Sequence, residues 1–277
     1  MTDAECVCFL QWALPQLRMR WPGFRKVRGQ ICKRLSRRIH ALGLRGPSHY
    51  RSYLEETPAE WPVLDSLCRI TISCFYRDHE VFNQLHSVVL HRLAQAAHAS
   101  ARTHVDVWSI GCASGEEPYT LAIGVKLQAQ PPLSDTNLRI VASDADATLL
   151  ARAKTACYDW SSVKHLPSHW LSEAFEIRAQ TYCLRPEYRE GIALIEQDVR
   201  TTMPASRFDL ILCRNLAFTY FDHALQKGLL AKLLARLRPH GALVIGKHES
   251  LPHDTHALAE WFAGLRIYRH VPGTTDA

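Results

Sequence analysis

The 277-residue chain has no apolar run of the roughly 18 residues that a membrane-crossing helix requires. Its opening, MTDAECVCFLQW, lacks a basic stretch followed by an apolar core, so no secretory leader is expected. There are nine cysteines (6, 8, 32, 68, 74, 112, 157, 183 and 213), but none are paired as C-x-x-C. That absence removes the commonest zinc and thiol-redox signatures. An odd count without a leader predicts reduced thiols and a cytoplasmic location. Histidines 240, 248, 253 and 256 cluster without H-E-x-x-H or similar ligand spacing, so no metal site is expected. G-x-S-x-G is missing, which argues against an α/β-hydrolase nucleophile. Neither G-x-G-x-x-G nor a glycine loop ending in Gly-Lys-Ser/Thr occurs, so dinucleotide and P-loop sites are not expected. There is no internal repeat and no low-complexity segment.

What is present divides the chain. The composition is 47% hydrophobic, enough for a sizeable core, and Lys+Arg 33 against Asp+Glu 27 gives a net charge of +6. Residues 18–45 hold ten Lys/Arg and no acid. Phe24, Val27, Ile31, Leu35, Ile39 and Leu42 are spaced as one helical stripe, with Arg25, Arg28, Lys33, Arg34, Arg37 and Arg38 off it. Such a helix is either a solvated face or a docking face for an acidic partner. A helix follows over 47–56. Another runs over 78–97, with Asp78 as its cap. From about 104 the texture changes to alternating strands (105–109, 138–144, 208–215, 242–246) and helices (116–128, 147–156, 223–237), which predicts an α/β fold with a mostly parallel sheet. Residues 175–195 read as a small β insertion. The expected organisation is an all-helical N-terminal domain over 1–78, a linking helix over 79–103, and an α/β domain over 104–277.

The stretch VWSIGCASGEEPYTLAI (107–123) is a strand, a glycine turn and a helix. Turns of this kind usually hold phosphate on free N–H groups. Here Gly111 and Gly115 lead straight into Glu116 and Glu117, and each carboxylate would repel a phosphate by about 1 kcal/mol or more at 4 Å even in water. A cationic ligand would be attracted. S-adenosylmethionine, with an ammonium, a sulfonium and no phosphate, fits. The two glutamates could also serve only the helix dipole. The second strand ends in ASDAD, where Asp144 is placed to accept ribose hydroxyls and Asp146 suits a helix cap. In CRNLAFTYFD, Arg214 and Asn215 stand at the mouth of an apolar strand, followed by Phe218, Tyr220 and Phe221, whose rings suit contact with a sulfonium.

Together these residues resemble the chemotaxis-receptor (CheR) methyltransferases over roughly residues 20–252. The resemblance is carried by SCFYRDHEVF, WSIGCASGEEPYTLAI, ASDAD, FDLILCRNLAFTYFD and RPHGALVIGKHESL, and by the basic helix at 25–42. It implies a Rossmann-like methyltransferase domain with a small β subdomain behind a helical domain, and methyl transfer from S-adenosylmethionine to receptor glutamates. By motif, Thr71, Ser73 and Arg77 would contact the cofactor. Gly111 would form its turn, Glu116 or Glu117 would meet its amino acid end, and Asp144 its ribose. Asp198, Val199, Asn215 and Leu216 would flank its adenine. Tyr220 would sit nearest the methyl, and Tyr220 with Arg77 or Arg92 would orient the acceptor carboxylate. The basic helix 25–42 would dock an acidic helical protein.

The departures from the family pattern fall on the acceptor side. The N-x-T segment is Thr71-Ile72-Ser73, the aromatic pair is Phe75-Tyr76, and four residues separate Asn215 from Tyr220. Gly-His-Ser-Glu is Gly246-Lys247-His248-Glu249. A small-molecule or non-receptor acceptor is therefore the alternative, and a non-catalytic cofactor-binding scaffold a third. Nucleic acid is disfavoured, because the N/D-P-P-Y/F motif of base amino-methylation is absent.

Overall fold

A computed structural model describes residues 1–128, 137–252 and 256–271. His253 of the histidine cluster lies outside them. The chain forms two compact units, Met1–Thr71 with Thr219–Gln226, and Ile72–Phe218 with the chain from Lys227 onward. This division differs from the expected boundaries. Residues 79–103 belong to the larger unit, because their apolar stripe is spent on its core.

The smaller unit contains α1 (Asp3–Gln16), α2 (Trp21–Phe24), α3 (Arg28–Ala41), α4 (Pro47–Glu56) and α5 (Trp61–Cys68). Thr2 and Glu5 cap α1 reciprocally. The Glu5 N–H donates to Thr2 Oγ1 at 3.2 Å, and the Thr2 N–H to Glu5 Oε2 at 2.7 Å. The apolar stripe of α3 (Ile31, Leu35, Ile39) is buried with Phe9, Leu10, Leu14, Leu54 and Leu64. The basic stretch begins as two helices rather than one. At Gly23 the carbonyl of Thr219 approaches so closely that a Cβ would lie 2.3 Å from it.

The larger unit begins with α6 (His79–Gln84), a π-helical turn (Leu85–Val89) and α7 (Leu90–Ala99). The expected helix runs without a break over 79–99, with a π turn at Leu85–Val89 where the buried His86 ring reaches the carbonyl of Leu121 at 3.3 Å and a Cβ on Gly124 would lie 2.0 Å from that ring. One expectation changes here. Asp78 does not cap the helix. It is left-handed, at φ 57°, and its side chain turns to Arg214 instead.

There follow β1 (His104–Ile110), α8 (Glu116–Gln128), β2 (Asn137–Asp144), α9 (Ala147–Thr155), β3 (Cys157–Tyr158), α10 (Trp160–Val163), α11 (Ser168–Ala174), β4 (Phe175–Arg178), β5 (Thr181–Leu184), β6 (Ile192–Glu196) and β7 (Phe208–Cys213). The chain ends with α12 (Ala217–Tyr220), α13 (His223–Arg236), β8 (Leu237–Ile245), β9 (Leu258–Phe262) and β10 (Ile267–His270). A seven-stranded sheet has the order β6-β2-β1-β7-β8-β10-β9. It is parallel from β6 to β8, and β10 and β9 add an antiparallel edge. Every residue of β7 is buried, as expected of a central parallel strand covered on both faces. Val105, Val107, Leu210, Leu212 and Val244 pack with Phe82, Leu85, Val89 and Leu93. Each such side chain contributes about 1.5–3 kcal/mol by leaving water.

The β insertion is a three-stranded sheet, β3-β5-β4, so it starts at Cys157, and Ile192–Glu196 is not part of it. That run joins the main sheet parallel to β2 instead, with Ile192 opposite Ile140, and packs Ile192 and Leu194 beside Leu150. The expectation of reduced thiols is corrected at four positions. Cys6 is bonded to Cys32, linking α1 to α3, and Cys157 to Cys183, linking β3 to β5. Cys8, Cys68, Cys74, Cys112 and Cys213 are free thiols. No helix among the described residues is long and apolar enough to cross a membrane.

Candidate functional site

The carboxyl ends of β1, β2, β6 and β7 converge on one loop. Gly111 and Gly115 both have left-handed φ, +70° and +91°. A Cβ would lie 2.8 Å from Leu216 Cδ2 at the first and 2.5 Å from the Tyr119 ring at the second, so both positions require glycine. The N–H groups of Gly111 and Cys112 donate to the Ser143 carbonyl, at 2.8 and 3.0 Å. Asp144 accepts from the N–H groups of Ala113 and Asp146, each at 2.9 Å. Asp146 is the helix cap, accepting from Thr148 and Leu149.

The two glutamates behind the turn differ in their surroundings. Glu117 is committed within the protein, accepting from Ser109 Oγ at 2.8 Å and from Arg214 Nη1 at 3.0 Å. Glu116 is buried, and its Oε2 has no hydrogen-bond partner. Burial pushes its pKa up, and hydrogen bonds from its own backbone N–H and from Ser73 offset that only in part. A buried carboxylate oxygen without a partner is costly unless a ligand supplies one. The alkylammonium of S-adenosylmethionine carries the matching charge and donors. The cradle therefore fits the cofactor through the orphaned acid oxygen, held behind a turn whose left-handed glycines set its shape.

Arg214 draws together three stretches distant in sequence. Its side chain is 2% exposed. It donates to Asp78 Oδ2 at 2.7 Å, to Glu117 Oε2 at 3.0 Å and to the Arg77 carbonyl at 3.0 Å, and lies 5.2 Å over the Phe82 ring. Arg77 turns its own guanidinium onto the Ile72 carbonyl at 2.8 Å. On the far side of the cradle, Asn215 takes the left-handed conformation at φ 54°. Its N–H and that of Leu216 donate to the Glu249 carboxylate, at 2.9 and 3.1 Å, and Gly246 adds a third N–H at 2.6 Å. Asp198, just past β6, is gripped by Arg200, with Nη2 to Oδ2 at 2.6 Å and the backbone N–H to Oδ1 at 2.9 Å. Val199 beside it is buried. The Gln197 N–H donates to the Asp144 carbonyl at 2.9 Å and ties that turn to the tip of β2.

Of the residues expected at the site, Ser73, Arg77, Gly111, Glu116, Glu117, Asp144, Asp198, Val199, Asn215 and Leu216 all fall in the larger unit, at the ends of these strands or in segments tied to them. Thr71 and Tyr220 belong to the smaller unit. The Thr71 hydroxyl accepts from Arg34 at 3.5 Å, and the Tyr220 ring lies 4.9 Å from that of Phe24. Arg92 is exposed on α7, and no hydrogen bond or ion pair among the described residues reaches its side chain. Sequence reasoning gave Asp78 only a capping role and assigned none to Arg200 or Glu249. Each stands within a motif or two residues from a predicted position, and the groups that explain Asp78 and Glu249 lie on other loops. Among the described residues no group of three His, Cys, Asp or Glu is placed to hold a metal ion.

The basic helix has a second set of commitments. Arg28 pairs with Asp3 at 2.9 Å and Arg38 with the buried Glu60 at 2.7 Å, while Arg34 donates to the Leu67 carbonyl at 3.3 Å. Arg38 also holds the Glu60 carboxyl below the usual carboxylate range. Arg25, Lys26, Lys33 and Arg37 remain exposed.

A parallel sheet with an acid-backed glycine turn after its first strand and an aspartate at the tip of the second defines an S-adenosylmethionine-dependent methyltransferase of the Rossmann-like class. Residues 72–264 match the model of the CheR methyltransferase, SAM binding domain, and the chain belongs to that family. It is 28% identical over 225 residues to chemotaxis protein methyltransferase 2 of Vibrio cholerae, covering 80% of this chain and 77% of that one. It is 32% identical over 186 residues to a chemotaxis protein methyltransferase of Listeria innocua, covering 67% and 68%. A 104.1 kDa protein of Rhodobacter capsulatus, uncharacterized, is 30% identical over 226 residues, 80% of this chain. The chain spans only 23% of that protein's length.

Proposed function

We propose that this methyltransferase esterifies glutamate side chains of a chemoreceptor-like protein. The orphaned, buried Glu116 beside the glycine turn carries the cofactor half of this reading. The relatives named as chemotaxis methyltransferases, together with the exposed Arg25, Lys26, Lys33 and Arg37, support the acceptor half. When bound, S-adenosylmethionine supplies an electrophilic methyl group. Glu116 would pair with its ammonium, Asp144 would accept from its ribose, and Asp198 and Asn215 would border its adenine. A glutamate acceptor is already ionised at pH 7, so the chain's task is to position and desolvate it rather than to remove a proton. Tyr220 and Arg77 would orient that carboxylate.

The reading is tested by incubating the protein with labelled methyl donor and receptor cytoplasmic fragments. Base-labile label on the fragment supports it, because carboxyl esters hydrolyse in base. Label appearing only on small molecules or on other proteins would replace it with the alternative acceptor. That alternative is favoured by one observation: Lys247, where the family pattern has histidine, pairs with Glu80 at 2.9 Å. Tyr220→Phe should lower turnover while leaving S-adenosylhomocysteine affinity nearly unchanged. Full turnover in that variant would remove Tyr220 from the mechanism.

A further inference from the structure

Arg77 is flanked by two residues in a conformation that ordinary side chains avoid. Tyr76 and Asp78 both have φ of 57°, and neither is glycine. Left-handed backbone at a bulky aromatic is rare and persists only where the surroundings over-determine it. The surroundings here supply two anchors. The Tyr76 N–H donates to Thr120 Oγ1 at 3.0 Å, and that hydroxyl in turn donates to the Glu116 carbonyl at 2.6 Å. Arg214 takes the other side, through the Arg77 carbonyl and the Asp78 carboxylate. Thr120 is fully buried, and the Tyr76 ring packs 5.0 Å from Trp170 and 6.0 Å from Phe82. Both anchors end on the opening turns of α8, at Glu116 and Glu117, where the glycine turn meets the helix. Ser73, in the same segment, is among the groups that counter part of the effect of burial on the Glu116 carboxyl.

We propose that Thr120 and Arg214 are positioning residues that lock Ile72–Asp78 in its strained form, and that this locked form sets the affinity for the methyl donor. The inference rests on reading the cradle as the donor site and not on the identity of the acceptor. Loss of either anchor lets the backbone at Tyr76 and Asp78 relax toward ordinary φ, which moves Ser73 away from Glu116 and re-aims Arg77. Arg214 serves three acceptors in different directions through one planar fork. A lysine ammonium at the same place cannot keep all three.

The test uses the full chain with Thr120→Val, Thr120→Ser and Arg214→Lys, reading S-adenosylhomocysteine binding by calorimetry and amide exchange across 70–80 by mass spectrometry. Thr120→Val and Arg214→Lys should each weaken binding about tenfold or more, the scale of a lost buried hydrogen bond to a charged or strained group. Each should also speed exchange within 72–78 while unfolding remains cooperative. Thr120→Ser, which keeps the hydroxyl, should match the parent in both readouts. Wild-type affinity in Thr120→Val would overturn the proposal. So would weakened binding with unchanged exchange in 72–78, or a Thr120→Ser variant as impaired as the valine. If Arg214→Lys does not fold, the threonine pair decides alone. Neither readout uses a methyl acceptor, so an error about the acceptor leaves this result intact.

Discussion

Two charged regions of the molecule use their charges in opposite ways. In the cradle of the larger unit, Arg214, Glu117, Asp78, Glu249 and Asp144 are buried or half-buried, and each is matched to partners on other strands or loops. On α3 of the smaller unit, Arg28, Arg34 and Arg38 are tied down, while Lys33 and Arg37, with Lys26 in the turn before the helix, face solvent. Charge in the first region holds a shape. Much of the charge in the second is exposed and makes no such commitment within the helix's surroundings. The difference should appear in the size and kind of effect that each substitution produces.

The largest effect is expected at Arg214. Arg214→Leu leaves Asp78 and Glu117 without their shared cation, and breaking a buried pair from one side costs about 3–5 kcal/mol. Denaturant unfolding should show that loss. A loss below about 1 kcal/mol would mean that the cradle tolerates unpaired carboxylates and that the contrast between the two regions is false.

Within the cradle, Glu116 and Glu117 should separate next. Burial raises the pKa of Glu116. A carboxyl whose folded pKa lies above its unfolded value contributes stability at low pH that is lost as pH rises through the folded value. Glu116→Gln should therefore leave the ligand-free protein as stable as the parent at neutral pH, or more so. It should also weaken S-adenosylhomocysteine binding by about tenfold to a hundredfold, the worth of a charge-assisted hydrogen bond. In the parent, affinity should fall as pH drops through the raised Glu116 pKa, because the ammonium needs the carboxylate form. The glutamine variant should lack that dependence. Glu117→Gln should do the reverse, lowering stability through Arg214 while disturbing ligand binding less. Calorimetry across pH on the two variants checks the assignment, and equal loss of affinity in both would collapse the distinction.

The cradle was legible in the sequence because its information is local. Two glycines, two glutamates and an aspartate at a strand tip are all read within a few residues. What was not legible is long-range pairing. Arg214 meets Asp78 across 136 positions, and Glu249 meets Asn215 across 34. Nothing in the residues around Asp78 distinguishes a helix cap from an arginine partner; that depends on its left-handed backbone. Likewise Ile192–Glu196 alternates as an insertion strand would, and only the pairing of Ile192 with Ile140 assigns it to the main sheet. The cysteine pairs, each 26 residues apart, are brought together by helix and strand packing that spacing does not reveal. The edge strands β9 and β10 carry too short a pattern to stand out.

The smallest effect on stability, and the sharpest test of the contrast, is expected on α3. Lys33 and Arg37 lie one helical turn apart and are exposed. Replacing both with glutamate should change unfolding free energy by only about 0.5 kcal/mol, as surface substitutions do. If the uncommitted charge serves an acidic protein partner, the same double variant should lose methyl transfer to receptor fragments through a raised KM, with S-adenosylhomocysteine affinity unchanged. The parent's KM should rise with ionic strength while the variant's stays flat, because screening can remove only an attraction that exists. The tied neighbour Arg38 serves as the control. Its removal strands the buried Glu60 and should be read in stability first. If reversing Lys33 and Arg37 leaves KM and its salt dependence untouched, the exposed half of α3 is solvated surface, and only the cradle's charges serve the reaction.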